Sequence, residues 1–304
     1  MNFIKKILFI VNPIAGDKDK TESIALVQKS CDFRKIEIIT YFTTGFNDEE
    51  QITASVKTNN PDRVIVLGGD GTIRLLAMVL KGTSIPIAIL PAGSANGMAA
   101  SLNLPKNIEQ QLELAFQNST VTIDLLNLNN ELCMHIADLG INAELVKNYE
   151  LGKIRGKLGY ALKTIPTLWN STYPFTFKIH INNTTFERKG VLLAFANARN
   201  YGTGATLNPL GRLNDGKFEI VIFKNLNFIQ MLKTLNSIND FDPEVVEIIS
   251  TERAIVKCKK PVPFQMDGEY MGETKMVRAS LYPEKLLFVV PDPIIEKPFF
   301  NLKS

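Results

Sequence analysis

A chain of 304 residues with 45% hydrophobic and 21% charged side chains has an ordinary globular composition, enough for one large domain or two smaller ones. Its formal charge of +3 is too weak to argue for nucleic acid, but it suits an anionic ligand or an anionic membrane surface. Three widely spaced cysteines (Cys31, Cys133, Cys258), two histidines (His135, His180) and no CxxC or HExxH read as reduced core thiols of a cytoplasmic protein and argue against a His-rich zinc site.

Residues 7–11 are a short apolar run that lacks a small-residue cleavage site and passes directly into Asn12-Pro13, so they read as a first buried strand and not as a signal peptide. No stretch reaches the roughly 18 apolar residues that span a bilayer, and the expectation is a soluble or peripheral protein. Residues 20–29 read as an amphipathic helix, 35–42 as an alternating edge strand, and 48–56 as a helix with acidic residues in its first turn. A strand at 64–67, a helix at 73–80, a strand at 87–90 and helices near 95–102 and 108–116 follow. Strands alternating with helices imply a parallel sheet covered on both faces, with ligands beyond the carboxyl ends of the strands.

From about Val121 the pattern changes. Residues 121–128, 132–137, 175–181, 191–196, 218–223, 254–258, 262–265 and 286–290 are short strand-like runs. Asn129-Asn130 and Asn182-Asn183 look like hairpin tips, and the spacing predicts an antiparallel sandwich. Helical stretches at 157–169 and 227–235 interrupt it. The expected fold class is α/β: a parallel-sheet nucleotide-binding domain over residues 1–122 and an antiparallel β-sandwich domain over 123–290. Residues 291–304, with Ile294, Ile295, Phe299 and Phe300, are expected to dock back on the body.

Two glycine turns carry most of the chemical information. Gly68-Gly69-Asp70-Gly71-Thr72 and Pro91-Ala92-Gly93-Ser94-Ala95-Asn96 each leave a buried strand and open a helix. Glycine lets the backbone approach a ligand, and the first helical N–H groups attract an anion. The pair predicts a phosphate-binding crevice with the Asp70 carboxylate inside it. The plain alternative for the first turn is a tight strand-helix junction whose Asp70 caps a helix beginning at Thr72.

The first turn resembles the GGDGT signature shared by diacylglycerol and sphingosine kinases, NAD kinases and phosphofructokinases. Asn12-Pro13-Ile14-Ala15-Gly16 resembles the N-P-x-x-G turn of the lipid kinases, and Pro91 to Asn96 their P-x-G-[ST]-x-N segment. Gln265-Met266-Asp267-Gly268-Glu269 resembles their late DGE segment, although an Asp-Gly pair is also an ordinary hairpin turn. Four motifs in the right order span nearly the whole chain, which is therefore similar to the diacylglycerol kinase catalytic-domain family, bacterial lipid kinases and sphingosine kinases included.

That resemblance implies an ATP-dependent lipid kinase whose second domain receives a diacylglycerol, a sphingoid base or a related lipid alcohol. The nucleotide would meet Asn12, Pro13, Thr43, Gly68, Gly69, Asp70, Gly71, Thr72, Ser94 and Asn96, with Thr44 competing for the place of Thr43. Glu269 is the expected general base, Asp267 the reserve, and Asp70 the rival or the residue that organises Mg²⁺. Gly211-Arg212-Leu213-Asn214-Asp215-Gly216-Lys217 resembles the family's N-D-G turn. A structural Mg²⁺ there would take the Asp215 carboxylate and the carbonyls of Arg212 and Lys217; a metal-free Asp-Gly turn is the alternative. Tyr201-Gly202-Thr203-Gly204 resembles the family's Y-G-G-G segment and would line the lipid entrance, a plain loop being the other reading.

The departures fall just after the turns: Arg74-Leu75 stand where bacterial members carry a short polar residue and Glu, and Gly97 and Ser101 where they carry Asp and Arg. The second segment is closer to the sphingosine and ceramide kinases. Lys147, Lys153, Arg155, Lys157 and Lys163, with Tyr160 and Trp169, form a basic amphipathic stretch suited to transient contact with an anionic bilayer, or to a solvated helix face. A homodimer is left open, and no nucleic-acid partner is expected. The competing functions are an NAD kinase and a nucleotide-binding regulator without catalysis.

Overall fold

The structure is a computed structural model that describes residues 4–17, 19–150, 174–201, 205–206, 208, 210–225 and 243–291. The chain divides into two compact units, residues 1–123 with 285–304, and residues 124–284.

In the first unit β1 (Lys6–Val11) pairs in parallel with the edge strand β2 (Glu37–Phe42) and with β3 (Arg63–Gly68), which pairs in turn with β4 (Ile87–Pro91). β1, β3 and β4 are apolar runs buried along nearly their whole length, as parallel strands covered on both faces must be. The helices between and after them are α1 (Thr21–Arg34), α2 (Asp48–Asn59), α3 (Asp70–Leu80), α4 (Gly97–Ser101) and α5 (Ile108–Ala115). Lys35 adopts the left-handed conformation and ends α1, its N–H returning to the carbonyls of Cys31 and Asp32. Asn107 caps α5 by accepting from the N–H groups of Glu109 and Gln110.

The sheet is completed by two strands from distant parts of the chain. β5 (Thr120–Ile123) lies at its far edge, antiparallel to β18 (Leu286–Val289), which pairs in parallel with β4. The strand order is β2-β1-β3-β4-β18-β5. This corrects the sequence reading at two points: residue 123 and the strand at 286–289 belong to the first unit, not to the β-rich one. The run 121–128 is not one strand either. It breaks at Asp124-Leu125 into β5 of one sheet and β6 (Leu126–Leu128) of the other.

Among the described residues the second unit is one antiparallel network of ten strands, with the order β15-β14-β11-β8-β16-β17-β6-β7 and β9 and β10 branching from β16. After β6 come β7 (Glu131–Cys133), β8 (Ile136–Gly140), α6 (Ile141–Glu150), β9 (Phe175–Ile181), β10 (Thr184–Gly190) and β11 (Leu192–Ala196). A small separate pair, β12 (Asn200–Tyr201) with β13 (Ala205–Thr206), precedes β14 (Phe218–Phe223), β15 (Val246–Thr251), β16 (Arg253–Met266) and β17 (Glu269–Leu281). Residues 254–258 and 262–265 are thus halves of one strand. β16 pairs with β17 along its length, with register shifts between Lys257 and Val262 and between Pro263 and Gln265. Its other edge serves β9 at 255–258 and β8 at 264–266. A bulge bends a strand and lets it pass from one layer to the next, so a single network can enclose a core. That core includes Phe177, Phe195, Phe218, Val256, Phe264 and Val277.

Asn129-Asn130 and Asn182 have positive φ and sit between β6 and β7 and between β9 and β10, the hairpin tips expected. The three cysteines are free and buried. The helices expected at 157–169 and 227–235, the basic stretch beyond residue 150, Gly202-Thr203-Gly204 and the tail from 292 lie outside the described residues.

Candidate active site

Three turns meet at the carboxyl ends of β1, β3 and β4. Thr43 N donates to Val11 O and Asn12 N to Leu67 O, extending the parallel ladder to the brink of the turns. Gly69 and Gly93 face one another so closely that a Cβ on Gly69 would stand 2.9 Å from the Cα of Gly93. Gly16, with φ of +64°, leaves no room for a side chain against the Ala92 carbonyl. The N-P-x-x-G turn, the GGDGT turn and the PAGSAN turn therefore pack backbone to backbone, which only glycine allows.

Side chains then lock the three together. Asn12 Nδ2 donates to Thr72 Oγ1 at 3.0 Å while its Oδ1 accepts from Ile14 N. Asn96 closes its own loop, its Oδ1 accepting from Gly93 N and its Nδ2 donating to Gly93 O, both at 2.8 Å. Lys20, 6% exposed, donates from Nζ to the carbonyls of Pro13 and Ala15 and brings a cation under the first turn. Nothing in the sequence singled it out except its place eight residues after the asparagine.

Asp70 does not cap its own helix. Its Oδ2 accepts from Gly97 N at 2.8 Å and its Oδ1 from Met98 N at 3.0 Å, so it fastens the start of α3 to the start of α4. Gly97, unusual by the resemblance, supplies one of those donors. The N–H groups of Asp70 and Gly71, the first of α3, close no hydrogen bond among the described residues, and neither do the hydroxyls of Thr43 and Ser94. Four polar groups thus remain available around the turns. Thr44, by contrast, is spent: its N–H and hydroxyl are held by Asp48, which also takes Gly45 N. Of the two threonines, Thr43 is the one with a hydroxyl to offer.

In the second unit Asp267 and Gly268, with φ of +49° and +89°, form the two-residue turn from β16 into β17. The Asp267 carboxylate accepts from Met134 N, His135 N and Ile136 N, tying this turn to the β7–β8 connection. Glu269, the first residue of β17, is exposed. The other acidic turn contains Asp215, also exposed, whose Oδ1 accepts from Lys217 N at 3.1 Å. Asp124, 2% exposed, holds that turn from beneath: its Oδ2 accepts from Gly216 N and its N–H donates to Leu213 O, both at 2.7 Å. No group of three His, Cys, Asp or Glu side chains that could hold a metal occurs among the described residues. A cation at the Asp215 turn would have to draw on main-chain carbonyls and water, and one carboxylate with carbonyl oxygens is a donor set that suits Mg²⁺.

A family profile described as "Diacylglycerol kinase catalytic domain" matches residues 6–128, and one described as "YegS C-terminal NAD kinase beta sandwich-like domain" matches residues 137–290. The chain belongs to the diacylglycerol kinase catalytic-domain family. It is similar to a Staphylococcus aureus protein named "Putative lipid kinase SAR0780", 28% identical over 235 residues that make up 74% of this chain and 76% of that one. A Chromohalobacter salexigens protein named "Probable lipid kinase YegS-like" is 27% identical over 239 residues, 76% of each chain. Among solved structures, a Bacillus anthracis chain described as "a putative diacylglycerol kinase" superimposes with a TM-score of 0.79 at 22% identity, over 96% of this chain and 99% of that one. At that identity the likeness is one of fold.

Membership in the diacylglycerol kinase family supports a kinase function, hence a transferase. Among the residues that the sequence proposed for this family's site, the structure gathers Asn12, Pro13, Thr43, Gly68 to Thr72, Ser94 and Asn96 around the three turns of the first unit. Asp267, Glu269 and Asp215 lie on two turns of the second. Sequence reasoning missed Lys20, Asp124 and Gln265. Lys20 and Asp124 work through main-chain contacts on a separate turn, and Gln265 joins Gly268, three residues on, to the Asp138 side chain far along the chain, pairings for which a single sequence has no signature. No helix among the described residues is long and apolar enough to cross a membrane.

Proposed function

We propose that this kinase transfers the γ-phosphoryl group of Mg·ATP to the hydroxyl of a lipid alcohol: diacylglycerol, a sphingoid base or a close relative. The observation that carries the reading is the three-turn assembly of the first unit, with Asp70 clasping the start of α4 and the first N–H groups of α3 left for an anion. Phosphoryl transfer asks the protein chiefly for positioning and for neutralisation of charge. Main-chain amides, the Ser94 hydroxyl and the Lys20 ammonium supply both at the phosphates, and Asn12 and Thr43 border the nucleotide.

Glu269 accepts the proton of the attacking lipid hydroxyl. Asp267 is less suited, because three main-chain N–H groups already occupy its carboxylate. Asp70, held at both oxygens, keeps a second lone pair on each for the metal that accompanies ATP. At the Asp215 turn, the Asp215 carboxylate and the carbonyls of Arg212 and Lys217 would hold a structural Mg²⁺, whose charge would stiffen the turn. The lipid is collected by transient contact with a bilayer surface.

The test is incubation with γ-labelled ATP and Mg²⁺ against dispersed dioctanoylglycerol, sphingosine and, separately, NAD. Label in a phospholipid or sphingolipid phosphate is the expected result; labelled NADP, or ATP binding with no transfer to any acceptor, sinks the proposal. Asp70→Ala and Glu269→Gln are each expected to lower kcat about 100- to 10,000-fold. The thermal transition stays in place in Glu269→Gln and falls in Asp70→Ala, which also leaves Gly97 N and Met98 N without their acceptor. Near-normal turnover in either variant removes that residue from the mechanism.

A further inference from the structure

The turn that carries Glu269 is fastened on its inner side by buried side chains. Gln265 and Asp138 are opposite residues on the antiparallel neighbours β16 and β8, so their side chains rise from the same face of the sheet. Gln265 is fully buried and Asp138 is 1% exposed. Gln265 Nε2 donates to Asp138 Oδ2, and Gln265 Oε1 accepts from Gly268 N at 2.9 Å. Asn142, at the start of α6, donates from Nδ2 to the same Asp138 oxygen at 2.6 Å. A continuous hydrogen-bonded chain therefore runs from α6 through β8 and β16 to the main chain between Asp267 and Glu269.

The turn does not need this chain in order to close. Asp-Gly with positive φ at both positions is already a favoured two-residue hairpin, and Asp267 already ties it to residues 134–136. An apolar pair at 265 and 138 would fill the same space without the desolvation cost of a buried carboxyl, which burial here pushes up to about 7. What a buried hydrogen-bonded network adds is a unique geometry, here with Asp138 Oδ2 taking both amides while Oδ1 has no hydrogen-bond partner among the described residues. Two anchors, one through Asp267 and one through Gly268, fix both the place of the turn and its rotation.

We infer that Gln265, anchored by Asp138, is a positioning residue that sets the direction in which Glu269 leaves the turn. The inference rests on the proposed role of Glu269 as proton acceptor. Gln265 touches no reacting atom; it acts through the Gly268 N–H.

Gln265→Leu tests it, because leucine fills much of the volume and makes neither hydrogen bond. Amide hydrogen exchange at Gly268 is expected to accelerate about tenfold, the equivalent of one lost hydrogen bond. With dioctanoylglycerol or sphingosine as acceptor, kcat is expected to fall about 10- to 100-fold, as small misplacements of a catalytic group do, with KM for ATP unchanged within about twofold. Gln265→Glu keeps the acceptor for Gly268 N and can share one proton with Asp138. At pH 6 it is expected to recover at least about tenfold of the leucine loss, which a general loss of packing would not allow. Should Gln265→Leu fail to fold, the glutamate variant and the wild-type exchange rate at Gly268 decide the matter: an unprotected Gly268 amide, or a glutamate variant as slow as one without any link, overturns the inference.

The two failures are separable. Wild-type turnover in Gln265→Leu, alongside an inert Glu269→Gln, overturns the positioning role and leaves the base in place. An active Glu269→Gln, or a wild-type protein inert toward both lipids, removes the assignment of Glu269 and the positioning role with it.

Discussion

Asp48 and Asp138 are both buried carboxyl groups, yet their protonation moves in opposite directions. Burial pushes each upward. At Asp48 the donors from Thr44, Tyr41 and Gly45 outweigh burial and hold the carboxyl below its ordinary value. At Asp138 burial wins over the amides of Asn142 and Gln265, and the carboxyl rises to about 7. A folded-state value above the unfolded one means that the folded chain holds the proton more tightly. The Asp138 contribution is then fully present below about pH 4 and is lost as pH rises toward 7. Asp138→Asn removes this dependence, so the variant should gain on wild type between pH 5 and pH 8 by on the order of 2–4 kcal/mol. Urea denaturation at the two pH values measures it; a difference that does not change with pH would show that Asp138 ionises as easily folded as unfolded. At this scale the sequence offers residue types but not partners. Asp70 is legible as a motif carboxylate, whereas its grip on Gly97 and Met98 depends on a contact across 27 residues that no local pattern encodes.

Among elements, the apposition of Gly69 and Gly93 is the most exacting. A methyl group on Gly93 would stand 2.6 Å from the Cα of Gly69 and 3.0 Å from Asn96 Oδ1. Gly93→Ala must therefore part the β3 and β4 turns, at a cost of about 1–3 kcal/mol typical of overpacking. The expected outcome is a lower urea midpoint together with at least about tenfold weaker ATP binding by calorimetry, since one displacement disturbs both. Unchanged nucleotide affinity in a destabilised variant would detach this contact from the binding site. The strands that deliver these turns are plain in the sequence because burial on both faces makes them uninterrupted apolar runs. β17 is not plain: its exposed residues include Glu269, Glu273 and Lys275 and then, after the alternation shifts phase, Arg278, and with Gly272 in its midst it has no contrast against a loop. The length of β16 is hidden for a related reason, since Lys259, Lys260 and two prolines sit where the strand bulges.

For the molecule as a whole, the α/β character and the change near residue 121 are legible from composition and periodicity, while the return of the chain to its first sheet is not. An apolar run such as 286–289 fits either sheet, and only pairing decides. β18 lies between β4 and β5, so deletion of residues 285–304 leaves the inner edges of both strands bare. The truncated protein is expected to aggregate on expression, whereas a soluble, ATP-binding monomer would show that β18 is dispensable. That interleaving also orders events on the ribosome. The three glycine turns emerge first, yet their sheet stays open while residues 124–284 are made and closes only when β18 appears. The early unit must wait in a partly formed state, the kind of species that chaperones attend. A chain released before that strand is translated contains all three glycine turns and still lacks the completed sheet that would support them.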